Sequence, residues 1–201
     1  MVATEALRRL SVAGEIEAFF TFVSSEIPDV AMHCARTAEL AAAIGSRMGI
    51  DRSERELLVA AALLHDIGKV WIPRKILHKP APLSTTEFVV MMDHVILGSR
   101  YLERFEGHER LATIVGQHHE RFDGRGYPLR IGGGTLDPLS RILTVADAYC
   151  ASTEERPYQR AIAPDLVRQR IISDRAHHFD PDVVDAFAEL DATTILESAA
   201  A

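Results

Sequence analysis

Five of the chain's nine histidines, with two aspartates, sit in or beside apolar helical segments, and this constrains the fold more than any other feature. His65 and Asp66 continue the stripe of Leu57, Ala61 and Leu64, so they close a helix on its buried side. Ile114 and Val115 lie one turn before His118 and His119, and Leu143 one turn before Asp147. His94 lies three residues after Met91 and four before Gly98. His33 adjoins a segment in which Cys34, Thr37, Leu40, Ala41 and Ile44 recur at helical spacing. Any one of these residues could be an ordinary hydrogen-bonded polar group. The set is different, because burying imidazoles and carboxylates is costly unless something pairs them. A pair of metal ions would do so. Imidazole and carboxylate suit Mn, Fe, Zn or Ni without choosing among them, and the absence of cysteine ligands argues against a structural zinc site.

The rest of the pattern is helical. Glu15 to Val23 predicts a first helix, Pro28 and Asp29 open a second, and Gly49 ends it. Ser53 with Glu56, and Ser84 with Glu87, are capping-box patterns for two more. Pro73 breaks the chain between them. Leu111 to Val115 begins another helix. Then Asp123-Gly-Arg-Gly-Tyr-Pro128 and Gly132-Gly-Gly-Thr-Leu-Asp-Pro138 predict a loop of about 20 residues, a length that in compact domains usually carries function. Helices resume over Leu139–Thr153, Pro164–Ala176 and Pro181–Leu190, the last capped by Asp180. Strand alternation is weak, and there is no internal repeat.

A length of 201 residues with 47% hydrophobic content suits one folded domain. No apolar run is long enough to cross a bilayer, and Met1 to Phe22 lacks the layout of a secretion signal. Two cysteines, Cys34 and Cys150, make no disulfide framework, and a reducing cytoplasm is expected. The net charge of −7 argues against long DNA or RNA as a partner but leaves room for a small phosphate ester at a local cationic site. His78, His108, His177 and His178 lie near turns and are expected at the surface.

In these motifs the chain resembles the HD-GYP family of the HD hydrolases. The resemblance runs from about Pro28 to Leu190. It is carried by His65-Asp-Ile-Gly-Lys69, Ile72-Pro73, Ile76-Leu-His-Lys-Pro80, the helix bearing His94 and Gly98, His118-His-Glu-Arg-Phe-Asp-Gly-Arg-Gly-Tyr-Pro128, Arg141-Ile-Leu-Thr-Val-Ala-Asp147, Arg156-Pro-Tyr158 and Phe179-Asp-Pro181. It implies an all-α, HD-domain helical bundle with a long glycine-rich loop, spanning 28–192, with a helical extension at 1–27 and a tail at 193–201. It implies two divalent ions, Fe or Mn foremost. His33, His65, Asp66 and Asp147 would hold one, and His94, His118 and His119 the other, with Asp66 bridging. Asp29 stands where some relatives place a third-metal glutamate; as an alternative it is a helix cap.

The family's usual substrate is cyclic di-GMP, cut to pGpG or on to GMP by a hydroxide held between the metals. Lys69 would add positive charge at the phosphate. Gly126, Tyr127, Pro128 and Arg156 would shape or contact the substrate groove. Alternatives stay open for three of these: Lys69 as an exposed helix-end lysine, Tyr127 as a loop anchor, Arg156 as a salt-bridge partner. Cys150 departs from the family, whose members often carry a second aspartate there. Two other functions fit the same motifs: a phosphohydrolase for another cyclic dinucleotide, or a module that senses cyclic di-GMP or docks a GGDEF-type synthase through the loop with little turnover. A homodimer is possible.

Overall fold

The computed structural model describes residues 14–155 and 161–200. Its first helix, α1 (Glu15–Glu26), turns Phe19, Phe20 and Val23 to one buried face. Proline at the first position and Asp29 in the first turn start α2 (Pro28–Arg47), which ends at Met48 before Gly49, whose φ of 72° is the left-handed conformation glycine adopts freely. Helix α3 (Arg52–Leu64) begins two residues earlier than the Ser53–Glu56 pattern predicts. Its cap is Asp51, whose carboxylate accepts the Glu54 N–H at 2.9 Å, while the Ser53 hydroxyl donates to that same carboxylate. Aspartate outcompetes the serine as acceptor.

A 3-10 turn (Ile67–Trp71) and the single-turn α4 (Arg74–Leu77) follow. The capping box expected at Ser84 and Glu87 forms and opens α5 (Thr85–Leu102). Helix α6 (Glu109–Gln117) leads into the long loop, and Asp137 with Pro138 restarts the chain as α7 (Pro138–Thr153). Helix α8 (Pro164–Ser173) stops three residues short of the predicted Ala176. There φ is 63°, and the Asp174 carbonyl accepts the N–H groups of His177 and His178, so the backbone turns instead of continuing. Asp180 caps α9 (Pro181–Ala188) as expected, accepting from the Asp182 N–H at 2.8 Å. Helix α10 (Ala192–Ala200) ends the described chain.

The core centres on α2, which packs against α1, α3, α7, α9 and α10. Segment 1–27 therefore contributes Phe19, Phe20 and Val23 to the main core, and segment 193–201 contributes Leu196 beside Ala192. Among the described residues there is no strand, and one isolated β-bridge joins Arg175 and Phe179. No described helix is long and apolar enough to cross a membrane.

Candidate metal centre

The seven polar residues converge at the ends and inner faces of five helices. His33 comes from the second turn of α2, His65 and Asp66 from the end of α3, and His94 from the middle of α5. His118 and His119 follow α6, and Asp147 lies in α7. His33, His65, Asp66, His94, His118 and Asp147 are all buried, and His119 is partly so. What lets α5 approach Asp66 is Gly68. A Cβ there would sit 1.9 Å from the His94 carbonyl oxygen and 2.7 Å from the Gly98 nitrogen, so only glycine allows the 3-10 turn to lie on α5.

Ligand atoms of His94, His118 and His119 lie within 4.8 Å of one another, and so do those of His33, His65 and Asp66. Asp147 Oδ1 joins the second group, 2.9 Å from His33 Nε2 and 3.7 Å from His65 Nε2. Asp66 lies between the groups: Oδ2 is 3.5 Å from His65 Nε2, and Oδ1 is 3.3 Å from His94 Nε2. That carboxylate also accepts from Lys69 Nζ at 2.5 Å.

The proton positions make this arrangement informative. His65, His94 and His118 each donate Nδ1–H to the carbonyl three residues upstream, on Ala62, Met91 and Val115, at 2.7, 2.6 and 2.6 Å. A neutral imidazole has one proton, so each Nε2 then carries a bare lone pair. His94 and His118 point these at each other across 3.4 Å. His65 Nε2 and Asp66 Oδ1 are buried without a hydrogen-bond partner. Acceptors that face acceptors in a buried site, all of metal-ligating type, fit divalent cations.

Burial pushes His65 and His118 down, the latter well below the usual imidazole range, and takes His119 down to about 3. Neutral rings are the form that binds metal. His33 behaves differently. Burial acts to lower it, but hydrogen bonds to Asp147 and Glu154 outweigh that and raise it to about 9. Burial acts to raise Asp66 and Asp147. For Asp66 the Lys69 charge and the neighbouring histidines outweigh it, and for Asp147 the His33 hydrogen bond and nearby histidines do, so both carboxyls stay well below their ordinary values.

The loop closes over the histidines. Gly126 is buried where a Cβ would meet the Glu120 Cα at 2.4 Å, so the loop passes directly over the chain that follows His119. Tyr127 donates its backbone N–H to the His119 carbonyl and stacks on the His119 ring, with centroids 4.8 Å apart. Its peptide bond to Pro128 is cis. Lys69 lies half-buried at the rim. Asp29 is exposed in the first turn of α2 and belongs to neither ligand group. Arg156 lies outside the described residues. Among the four other histidines, His78 and His177 are exposed, whereas two depart from the surface reading: His178 stacks on Phe179 at 4.2 Å and His108 packs edge-on against Phe19.

Two functional-looking residues were not singled out by the sequence. Glu154 Oε2 is 3.0 Å from His33 Nδ1. Its position seven residues after Asp147, just past the end of the same helix, was the available signal. Glu120, buried, accepts the N–H groups of Leu129 and Arg130 at 2.5 and 2.9 Å and so pins the far side of the loop. Its adjacency to His119 gave no hint of that role.

An all-helical fold with two buried clusters of histidine and aspartate that could hold metal defines the class of this protein. It matches the HD domain family over residues 18–183 and belongs to that family. The chain is 32% identical over 181 residues to 3'3'-cGAMP-specific phosphodiesterase 2 of Vibrio cholerae, covering 89% of this chain and 33% of that protein. It is 33% identical over 208 residues to a probable cyclic di-GMP phosphodiesterase of the same bacterium, covering 92% of this chain and 46% of that one. In fold it is similar to Bd1817, a HDG"Y"P protein from Bdellovibrio bacteriovorus, with TM-score 0.68 at 18% identity over 94% of this chain and 68% of the other. The chain thus spans less than half the length of these two curated relatives.

Proposed function

We propose that this chain is a metal-dependent phosphodiesterase that hydrolyses cyclic di-GMP to pGpG, GMP or both. The observation that carries the reading is the set of bare Nε2 lone pairs facing one another and the Asp66 carboxylate in a buried site. His33, His65, Asp66 and Asp147 would hold one divalent ion, and His94, His118 and His119 the other, with one oxygen of Asp66 facing each group. When bound, two such ions supply a nucleophile at neutral pH and draw charge from the phosphate. Iron or manganese suits this donor set.

The chain's own residues do the rest. Carbonyls of Ala62, Met91 and Val115 hold three imidazoles in the ligating tautomer. Lys69, tied to Asp66, brings a positive charge to the edge of the site where a phosphodiester anion would lie. Tyr127, stacked on His119 and flanked by Gly126 and Pro128, offers an aromatic face beside the metals on which a nucleobase could stack. Arg156 would contact phosphate or guanine.

A second reading, a mixed guanine–adenine cyclic dinucleotide as substrate, is favoured by the likeness to a 3'3'-cGAMP-specific enzyme and by Cys150. That buried thiol is pushed up to about 12 by burial and offers no carboxylate to a guanine edge. The test is to incubate the manganese-loaded protein separately with cyclic di-GMP, 3'3'-cGAMP and cyclic di-AMP and to resolve products by chromatography. Linear product from cyclic di-GMP at the highest kcat/KM is expected. Preference for 3'3'-cGAMP would select the second reading, and no linear product from any of the three would contradict both.

A further inference from the structure

We infer that Glu154 is a positioning residue for the first cation site: its carboxylate accepts a hydrogen bond from the Nδ1–H of His33 and so presents the Nε2 lone pair of that ring to the metal. This rests on the metal reading of the site given above. His33 is the ligand candidate whose ring lies between two carboxylates. Nε2 faces inward, 2.9 Å from Asp147 Oδ1, and Nδ1 faces outward, 3.0 Å from Glu154 Oε2. His65, His94 and His118 commit Nδ1 to carbonyls of their own helices. For His33 the same task falls to an acid from another helix. A charged acceptor makes a stronger hydrogen bond and a more basic ring than a carbonyl does.

The placement is built from both helices. Asp147 lies on α7 and Glu154 is the C-cap residue seven positions later, so one helix and its cap bring a carboxylate to each nitrogen of the ring. On α2, Arg36 lies three residues after His33, and its Nε is 3.3 Å from Glu154 Oε1. His33 and Arg36 therefore grip the two oxygens of one carboxylate from neighbouring positions of one helix face. The side chains of His33 and Glu154 are 6% and 16% exposed, so water competes little for the bond. Position 150, four residues before Glu154, holds a buried cysteine, so the acid comes from the helix cap.

The test is calorimetric titration of chelator-stripped protein with Mn2+, comparing wild type with Glu154→Ala and Glu154→Gln, each shown folded by its far-UV circular dichroism. Two ions are expected to bind wild type. In Glu154→Ala one of the two affinities should fall between about 10- and 100-fold while the other is kept. Glu154→Gln, whose amide oxygen still accepts a hydrogen bond from Nδ1–H, should recover most of that loss. Long-range 1H–15N spectra of the Zn2+-loaded wild type should show His33 protonated at Nδ1. If wild type binds no metal, the proposed function fails and this inference with it. If wild type binds two ions and Glu154→Ala binds both as tightly, or if glutamine is as poor as alanine, the inference alone is overturned.

Discussion

At the scale of single residues the centre is set by where protons go. Three imidazoles spend Nδ1–H on backbone carbonyls, and one aspartate stands between two ligand groups with an oxygen turned to each. Asp66→Asn keeps the shape and removes the charge that both cations would share. It is predicted to lower bound metal, read by elemental analysis, and to cut hydrolysis more than about 100-fold, beyond the effect typical of an outer hydrogen-bond partner. Wild-type metal content in that variant would remove Asp66 from the bridging position. Much of this site is legible in the sequence, because His65, Asp66, His118, His119 and Asp147 stand in register with apolar residues one turn away, and a polar group on a buried stripe demands a partner. Glu154 and Glu120 are not legible in the same way. An acid at a helix end or in a loop reads as solvent-facing, and nothing local reveals that His33 or the amides of Leu129 and Arg130 will fold onto it.

Among elements, the decisive contact is the 3-10 turn against α5. It brings Asp66 and Lys69 to His94, and it exists because Gly68 has no side chain to strike the His94 carbonyl. Gly68→Ala is predicted to push the turn off α5, lowering both the melting temperature and the number of bound ions. A control lies at the other end of the same helix. Ser84→Ala removes the capping-box hydroxyl and should cost roughly 1 kcal/mol in a urea titration while leaving metal content unchanged. If Gly68→Ala behaves like Ser84→Ala, with stability lowered and metal retained, the close approach does not position the site. Helix positions were legible from periodicity. Their ends were less so, because a cap is a contest between neighbouring side chains: Asp51 wins over Ser53, and a left-handed residue at Ala176 halts α8 early.

For the molecule as a whole, the buried histidines predict how stability follows pH once metal is stripped. Unfolded histidines titrate near 6.5. Burial depresses His65, His118 and His119 in the folded state, so below about pH 6.5 the unfolded chain takes up protons that the folded chain refuses, and stability falls as pH drops. His33 is raised to about 9, so its contribution is complete below about 6.5 and is lost as pH climbs through 9. The melting temperature of chelator-treated protein should therefore peak between these two limbs, and His33→Asn should flatten the alkaline limb; a melting temperature that rises steadily from pH 6.5 to 9 would contradict this. The helical class is legible from periodicity. The packing of α1 and α10 onto α2 is not, because short apolar helices at chain ends carry no signal of what they will cover.

The central claim, that seven scattered side chains converge to hold two cations, is tested most directly by anomalous X-ray diffraction from crystals grown with Mn2+. The account predicts two anomalous peaks, one among His33, His65 and Asp147 and one among His94, His118 and His119, with Asp66 between them. Peaks elsewhere, or none at these residues, would contradict it.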